Sequence, residues 1–250
     1  SVEEFLNQAQ AHLGLSDEGF EDAKTHLDSL YRKLLELQRE GRNRIWARLI
    51  KNAFAPIFQG RFDYVVGNPP WVNWESLSDE YREATKTLWH RYGLFTLSGS
   101  EARLGGGKKD LSMLFAYAAA DNYLHDDGAL SFVITQTLFK SQGAGDGFRR
   151  FQLGDNGFLE VTKVQDMVSI KPFPGVGNRT AIFTCRRAED TATEYPVPYV
   201  VWTKESWGSI DEEWPLQRVL EVTERIELAA APIDDESPTS PWLTAEARAI

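Results

Sequence analysis

Asn68, Pro69, Pro70 and Trp71 are the residues of this chain whose types and spacing suggest chemistry. Two consecutive prolines fix φ and remove two backbone donors. Pro69 also drives Asn68 toward an extended backbone. The outcome is a stiff elbow whose carbonyl oxygens point outward unpaired, with the Asn68 amide oxygen beside them. Two neutral acceptors on a rigid frame suit an NH₂ group. Accepting both of its hydrogens pushes electron density onto nitrogen and favours sp³ geometry, which makes the nitrogen a better nucleophile. No proton-abstracting base is needed in that first step, because the stabilisation is electrostatic and built in advance. Trp71 adds a flat face on which a ring can stack, worth about 1–3 kcal/mol. The plainer alternative is that Pro-Pro ends a strand and Trp71 caps a core.

The elements around the elbow favour the chemical reading. Phe62 to Val66 is a short apolar run between Gly60 and Gly67, the pattern of a buried parallel strand. Asp79 to Tyr92 reads as a helix, Gly93 to Lys109 as a Gly/Ser-rich loop, and Asp110 to Leu124 as a helix with Asp110 near its start. Ala129 to Thr135 is a second clear strand. Gly143 to Gly147 is a loop leading into a short helix with Arg149 and Arg150. Leu159 to Met167, Thr180 to Arg186 and Tyr195 to Thr203 read as strands. Upstream, Phe20, Leu27, Leu30, Tyr31, Leu34 and Leu37 recur at helical spacing, with Gly41 as a stop and a second helix over 45–54. Pro215 to Ala229 reads as a helix and Ala231 to Pro241 as a linker. The result is α/β with a mostly parallel sheet. In such sheets ligands sit beyond the carboxyl ends of the strands, and the elbow follows one of those ends.

Composition excludes several classes. No apolar run among the 250 residues approaches the roughly 20 that a membrane span needs. The single cysteine, Cys185, rules out an internal disulfide and argues for a cytoplasmic location. His12, His26, His90 and His125 are scattered and make no metal pattern. Gly105-Gly106-Gly107-Lys108 fails as a phosphate loop, since Ala102 and Lys109 stand where Gly and Ser or Thr are required. Gly175-Val176-Gly177 lacks the third glycine of a dinucleotide fingerprint. The net charge of −10 is unevenly spread: residues 188–250 hold 14 acids and 4 bases, and the first 187 are balanced. Residues 136–187 carry 8 bases and 4 acids, which permits nucleic-acid binding without arguing for it.

FDYVVGNPPW resembles motif IV of the S-adenosylmethionine-dependent amino-methyltransferases, most closely the N6-adenine DNA methyltransferases of the gamma motif order in bacterial restriction–modification and defence systems. KDLSMLFAYAAADNYLHDDGALSFVITQTLF is similar to that family's motif V helix and motif VI strand, GDGFRRF to motif VII, and KPFPGVGNRTAIFTCRR to motif VIII. The resemblance covers about Arg44 to Arg187. It implies a Rossmann-like methyltransferase sheet, represented by its second half with a terminal antiparallel strand pair and preceded by a helical segment. The implied division is 1–55 helical lead-in, 56–203 catalytic segment and 204–250 acidic helical tail and linker.

The resemblance further implies a flipped adenine held between Trp71 and Phe173, with its amino group on Asn68 and the Pro69 carbonyl. Extruding a base costs a few kcal/mol, which stacking offsets. Lys108, Lys109, Arg149 and Arg150 are candidate DNA-backbone contacts. Asp110 is either a helix cap or a site-facing residue, and with Asn68 it is the candidate for touching the cofactor, S-adenosyl-L-methionine. No metal is implied. The family's Gly-rich cofactor loop is not found upstream of Phe62, so the chain reads as a catalytic segment with most of the cofactor site elsewhere. DNA is the implied partner of the whole protein, no membrane is, and a homodimer is one way to cover the apolar edges of a half-sheet. Two other readings stay open: an RNA guanine or protein glutamine amino-methyltransferase using the same elbow, or a catalytically silent scaffold.

Overall fold

The computed structural model describes residues 3–4, 6–7, 17–41, 60–95, 109–154, 157–173, 175–205, 210–211 and 213–246. The chain divides into two compact units, 1–60 and 61–250. In the first unit the expected helix is α1, Asp17–Arg39. Leu37 is buried and Leu27, Leu30, Tyr31 and Leu34 are half-buried, so the apolar stripe is used for packing. The opposite face carries Lys24–Glu21 and Arg32–Asp28 pairs in solvent, each worth a few tenths of a kcal/mol. Gly41 leaves the helix with φ +70°, a conformation glycine adopts without strain. The second expected helix, over 45–54, lies outside the described residues.

The second unit is one seven-stranded mixed sheet with strand order β1-β2-β4-β3-β5-β6-β7. Its strands are β1 (Phe62–Gly67), β2 (Leu124–Thr135), β3 (Phe158–Asp166), β4 (Thr180–Ala188), β5 (Val197–Thr203), β6 (Glu224–Pro232) and β7 (Trp242–Ala245). The helices are α2 (Asp79–Arg91), α3 (Leu111–Tyr123), α4 (Thr137–Lys140) and α5 (Leu216–Val222). β1 and β2 run parallel. β4 slots antiparallel between β2 and β3, so the expected antiparallel pair is present on this α/β sheet but lies inside it rather than at its end, and only β1–β2 and β3–β5 of the six pairings are parallel, fewer than the mostly parallel sheet expected. β5 then adds parallel to β3. The carboxyl ends of β1, β2, β3 and β5 therefore lie at one end of the sheet, together with the start of β4.

One face of the sheet packs an aromatic-rich core. Trp89, Tyr92, Leu94, Tyr117, Phe139, Phe148, Phe183 and Trp242 are all within it and essentially inaccessible. The other face holds a smaller cluster of Ile170, Val200, Trp202 and Ile210. Tyr199 faces the first cluster and Val200 the second, as strand alternation requires. No described helix is long and apolar enough to cross a membrane.

Two further expectations need correction. The helix expected over 215–229 stops at Val222, and Glu224–Pro232 is strand β6. The segment read as tail and linker continues the same sheet: Trp242 of β7 is 2% exposed and its ring lies 4.9 Å from that of Phe139. Ladder pairing with β5 overrides the helix propensity of Glu, Leu and Ala there. Second, β1 is an edge strand rather than a doubly buried one. Val65 packs against the core, while Tyr64 and Val66 are 77% and 80% exposed.

Candidate active site

Strand β1 delivers the elbow. Gly67 is its last residue and sits opposite Phe132, where an added Cβ would come within 3.1 Å of the Phe132 ring. The close approach of β1 to β2 at this point thus favours glycine just before Asn68. Pro69 is buried and anchors the turn, whereas Asn68 and Pro70 are exposed. The Asn68 side chain makes no hydrogen bond to any described residue and is available to a ligand.

Trp71 is fixed. Its indole N–H donates to the carbonyl oxygen of Val133 at 3.1 Å, one step past the Gly67–Phe132 pair where β1 leaves the ladder. The residues after it are tied to the start of α3. Trp74 N donates to Lys109 O at 2.7 Å and Leu111 N to Val72 O at 2.8 Å. An isolated bridge joins Asn73 to Asp110. The elbow is therefore clamped on both flanks by hydrogen bonds that do not involve its own acceptors.

Asp110 caps α3, accepting from Ser112 N at 2.8 Å. Its carboxyl is buried, and that burial raises its pKa, with the Ser112 hydrogen bond opposing the rise. The helix-cap reading of Asp110 is what the geometry supplies.

Phe173 lies on the loop between β3 and β4. Its ring meets Trp71 edge to face, with centroids 5.7 Å apart and planes at 76°. The two aromatics singled out in the sequence are together, but they touch each other, so no slot for a third ring lies between them. One of them has to move to admit one. Trp71 is held to β2, and Phe173 precedes Gly175, whose φ is +75°.

The basic candidates divide. Lys108 lies outside the described residues. Lys109 is 6% exposed and donates to the carbonyl oxygens of Gly143 and Ala144, and its burial lowers its pKa. Arg149 is 1% exposed. It donates to the carbonyl oxygens of Leu138, Ser141 and Thr239 and to the Asp146 carboxylate. For Lys109 and Arg149 the expectation of phosphate contact is corrected: their charged groups are spent inside the fold, holding the 141–147 turn. Arg150, next in sequence, is exposed, against Gly93.

A buried polar network missed in the sequence supports the Phe173 loop. Asp166, the last residue of β3, accepts from Gln136 Nε2 at 3.0 Å, Tyr199 OH at 2.7 Å and Val168 N at 3.0 Å. Gln136 N in turn donates to Arg179 O at 2.7 Å, so both ends of the loop are pinned. The only sequence signal was an acid closing an otherwise alternating strand. Lys140 sits over the Tyr199 ring, 4.8 Å from its centroid, and donates to Thr244 Oγ1.

Burial lowers the Lys140 pKa from 10.5 to about 8, with Asp166 opposing. The folded state thus binds this proton more weakly than the unfolded state. The penalty is fully present below pH 8 and is lifted as pH rises from about 8 toward 10.5. The unfolding free energy of the protein, minus that of a Lys140→Met variant, is expected to increase across that window in denaturant titrations. A decrease would contradict the assignment.

The described residues include no cluster of His, Cys, Asp and Glu able to hold a metal ion. Residues 4–170 match the Eco57I restriction-modification methylase family. The chain belongs to that family. No curated protein matches it. Similar solved structures include the type IIG restriction endonuclease BpuSI, at 15% identity over 69% of this chain and 19% of that chain, TM-score 0.39. The DrdV–DNA complex is similar at 16% identity over 76% and 19%, TM-score 0.43. The M protein of the type I restriction enzyme EcoKI is similar at 15% identity over 76% and 41%, TM-score 0.36. This Eco57I-family chain therefore spans about a fifth of the length of the first two.

Proposed function

We propose that this methylase-family chain carries the acceptor side of an amino-methyltransferase site, acting on the exocyclic N6 of an adenine turned out of DNA in restriction–modification or phage defence. DNA as partner, S-adenosyl-L-methionine as methyl donor and a cytoplasmic location belong to the same proposal. The observation that carries it is the exposed, unengaged Asn68 amide on a proline-stiffened elbow at the carboxyl end of β1, beside an indole pinned to β2.

The chain's own residues would act as follows. Asn68 Oδ1 and the Pro69 carbonyl each accept one hydrogen of the amino group. That orients the nitrogen lone pair toward the methyl donor while the nitrogen acquires positive charge, and one of the two protons passes to solvent once the methyl group has transferred. The acceptors are neutral, so the developing cation is stabilised by dipoles fixed before the reaction. Trp71 offers its face to the base, and Phe173 swings aside and closes over it. S-adenosyl-L-methionine, when bound, supplies the electrophilic methyl group. Asn68 remains the candidate to touch it, whereas the Asp110 carboxylate accepts from the Ser112 amide.

The test is to incubate the intact protein with labelled S-adenosylmethionine and DNA, tRNA or release factor in parallel. Label entering DNA alone supports the proposal. Label entering RNA or protein instead keeps the elbow chemistry and overturns the substrate. No label from a folded protein favours a silent scaffold.

A further inference from the structure

We infer that the loop joining β3 to β4 is a phosphate clamp for the nucleic-acid strand whose base enters the Trp71–Phe173 site, with Lys171 and Arg179 as its two cations. This rests on the nucleic-acid part of the function proposed above.

Lys171, Phe173, Asn178 and Arg179 line one cavity of about 270 Å³, together with Met167 and Val176. That is near the small end of ligand sites, which run from roughly 300 Å³ upward, and it suits one sugar–phosphate unit rather than a whole cofactor. The aromatic ring and both cations therefore share a single concavity, so a base stacked near Phe173 carries its own phosphate toward them.

The charge there is not neutralised. Residues 167–180 contain no acid. The acid that precedes this stretch, Asp166, is buried with its oxygens engaged by Gln136, Tyr199 and Val168. Among the described residues neither Lys171 nor Arg179 forms an ion pair. A hollow lined by two cations and no carboxylate suits an anion.

The clamp is also positioned. Ile170 N and Lys171 N both donate to Met167 O at 3.2 Å, and Lys171 takes a left-handed φ of +45°. Ile170 is buried in the cluster with Val200, Trp202 and Ile210. At the other end Arg179 is tied through its carbonyl to Gln136. Each cation sits next to a backbone anchor, while Phe173 and its glycines lie between them.

The experiment measures binding of the intact protein to a short single-stranded oligonucleotide containing 2-aminopurine, by fluorescence, across a salt series. Each cation that neutralises a phosphate of a single strand contributes about 0.7 to the slope of log K against log salt. Lys171→Gln and Arg179→Gln are each expected to reduce the slope by about that amount. Lys171→Arg should keep it, and Lys163→Gln, a charge loss at an exposed position on β3, should leave it unchanged. An unchanged slope in both loop variants, or an equal fall in Lys163→Gln, overturns the clamp. So does failure of the unmodified protein to bind the oligonucleotide at low salt. The amino-group reading is decided separately, by methyl transfer with and without Asn68, and can fail while the clamp stands.

Discussion

Replacing Asn68 with alanine is expected to lower methyl transfer by about 10²–10³-fold, the cost of deleting one preorganised hydrogen-bonding group from a transition state. Asn68 is exposed, and its side chain makes no hydrogen bond to the described residues. The loss should therefore appear in turnover, with the melting temperature unchanged. Oligonucleotide affinity should also stay close to the original, because stacking and phosphate contacts do not pass through this amide. Asn68→Asp keeps an acceptor in place and is expected to retain more activity than alanine. Single-turnover kinetics on the three proteins, beside thermal melts, check the ordering. Equal rates for Asn68→Ala and the unmodified protein would remove the elbow from the chemistry.

The second large effect concerns stability. Arg149→Ala is expected to destabilise the second unit by about 3–5 kcal/mol, the range for removing one partner from a buried charged pair. Arg149 joins Leu138 within α4, Ser141 and Asp146 in the following turn, and Thr239 before β7. Its removal strands three carbonyl oxygens and a carboxylate that is a quarter exposed. Arg150→Ala, one residue on and exposed, should change stability by no more than about 0.5 kcal/mol. Denaturant midpoints for the two variants would decide the matter. Equal values would mean that the buried hub is not needed for folding.

These two arginines also show where sequence reading reached its limit. Arg149 and Arg150 are indistinguishable in a string, and both read as candidate DNA-backbone contacts. What separates them is the 3₁₀ turn Phe148–Arg150, which directs one into a ring of carbonyls and the other into solvent. The ring joins the 138–146 stretch just upstream to the distant Thr239, and which of two adjacent arginines turns into it is decided only when those stretches meet. The elbow was legible for the opposite reason: proline acts on its own backbone and its neighbour's, so the rigidity of 68–71 is written locally. The helix starting at Asp110 and the strand ending at Thr135 were legible from periodicity and turn residues. β6 was not, because Glu224–Pro232 is rich in helix formers and becomes a strand only by pairing with β5. The exposure of Tyr64 and Val66 was equally hidden, since an apolar run reads alike whether one or both of its faces are covered.

The central claim is that the elbow serves an exocyclic amino group. The most direct test is to digest DNA methylated by the intact protein to nucleosides and identify the modified base by mass spectrometry. N6-methyladenine is the expected product. N4-methylcytosine would keep the amino-group chemistry and overturn adenine as its substrate, and 5-methylcytosine, methylated on a ring carbon with no amino group involved, would contradict the account outright.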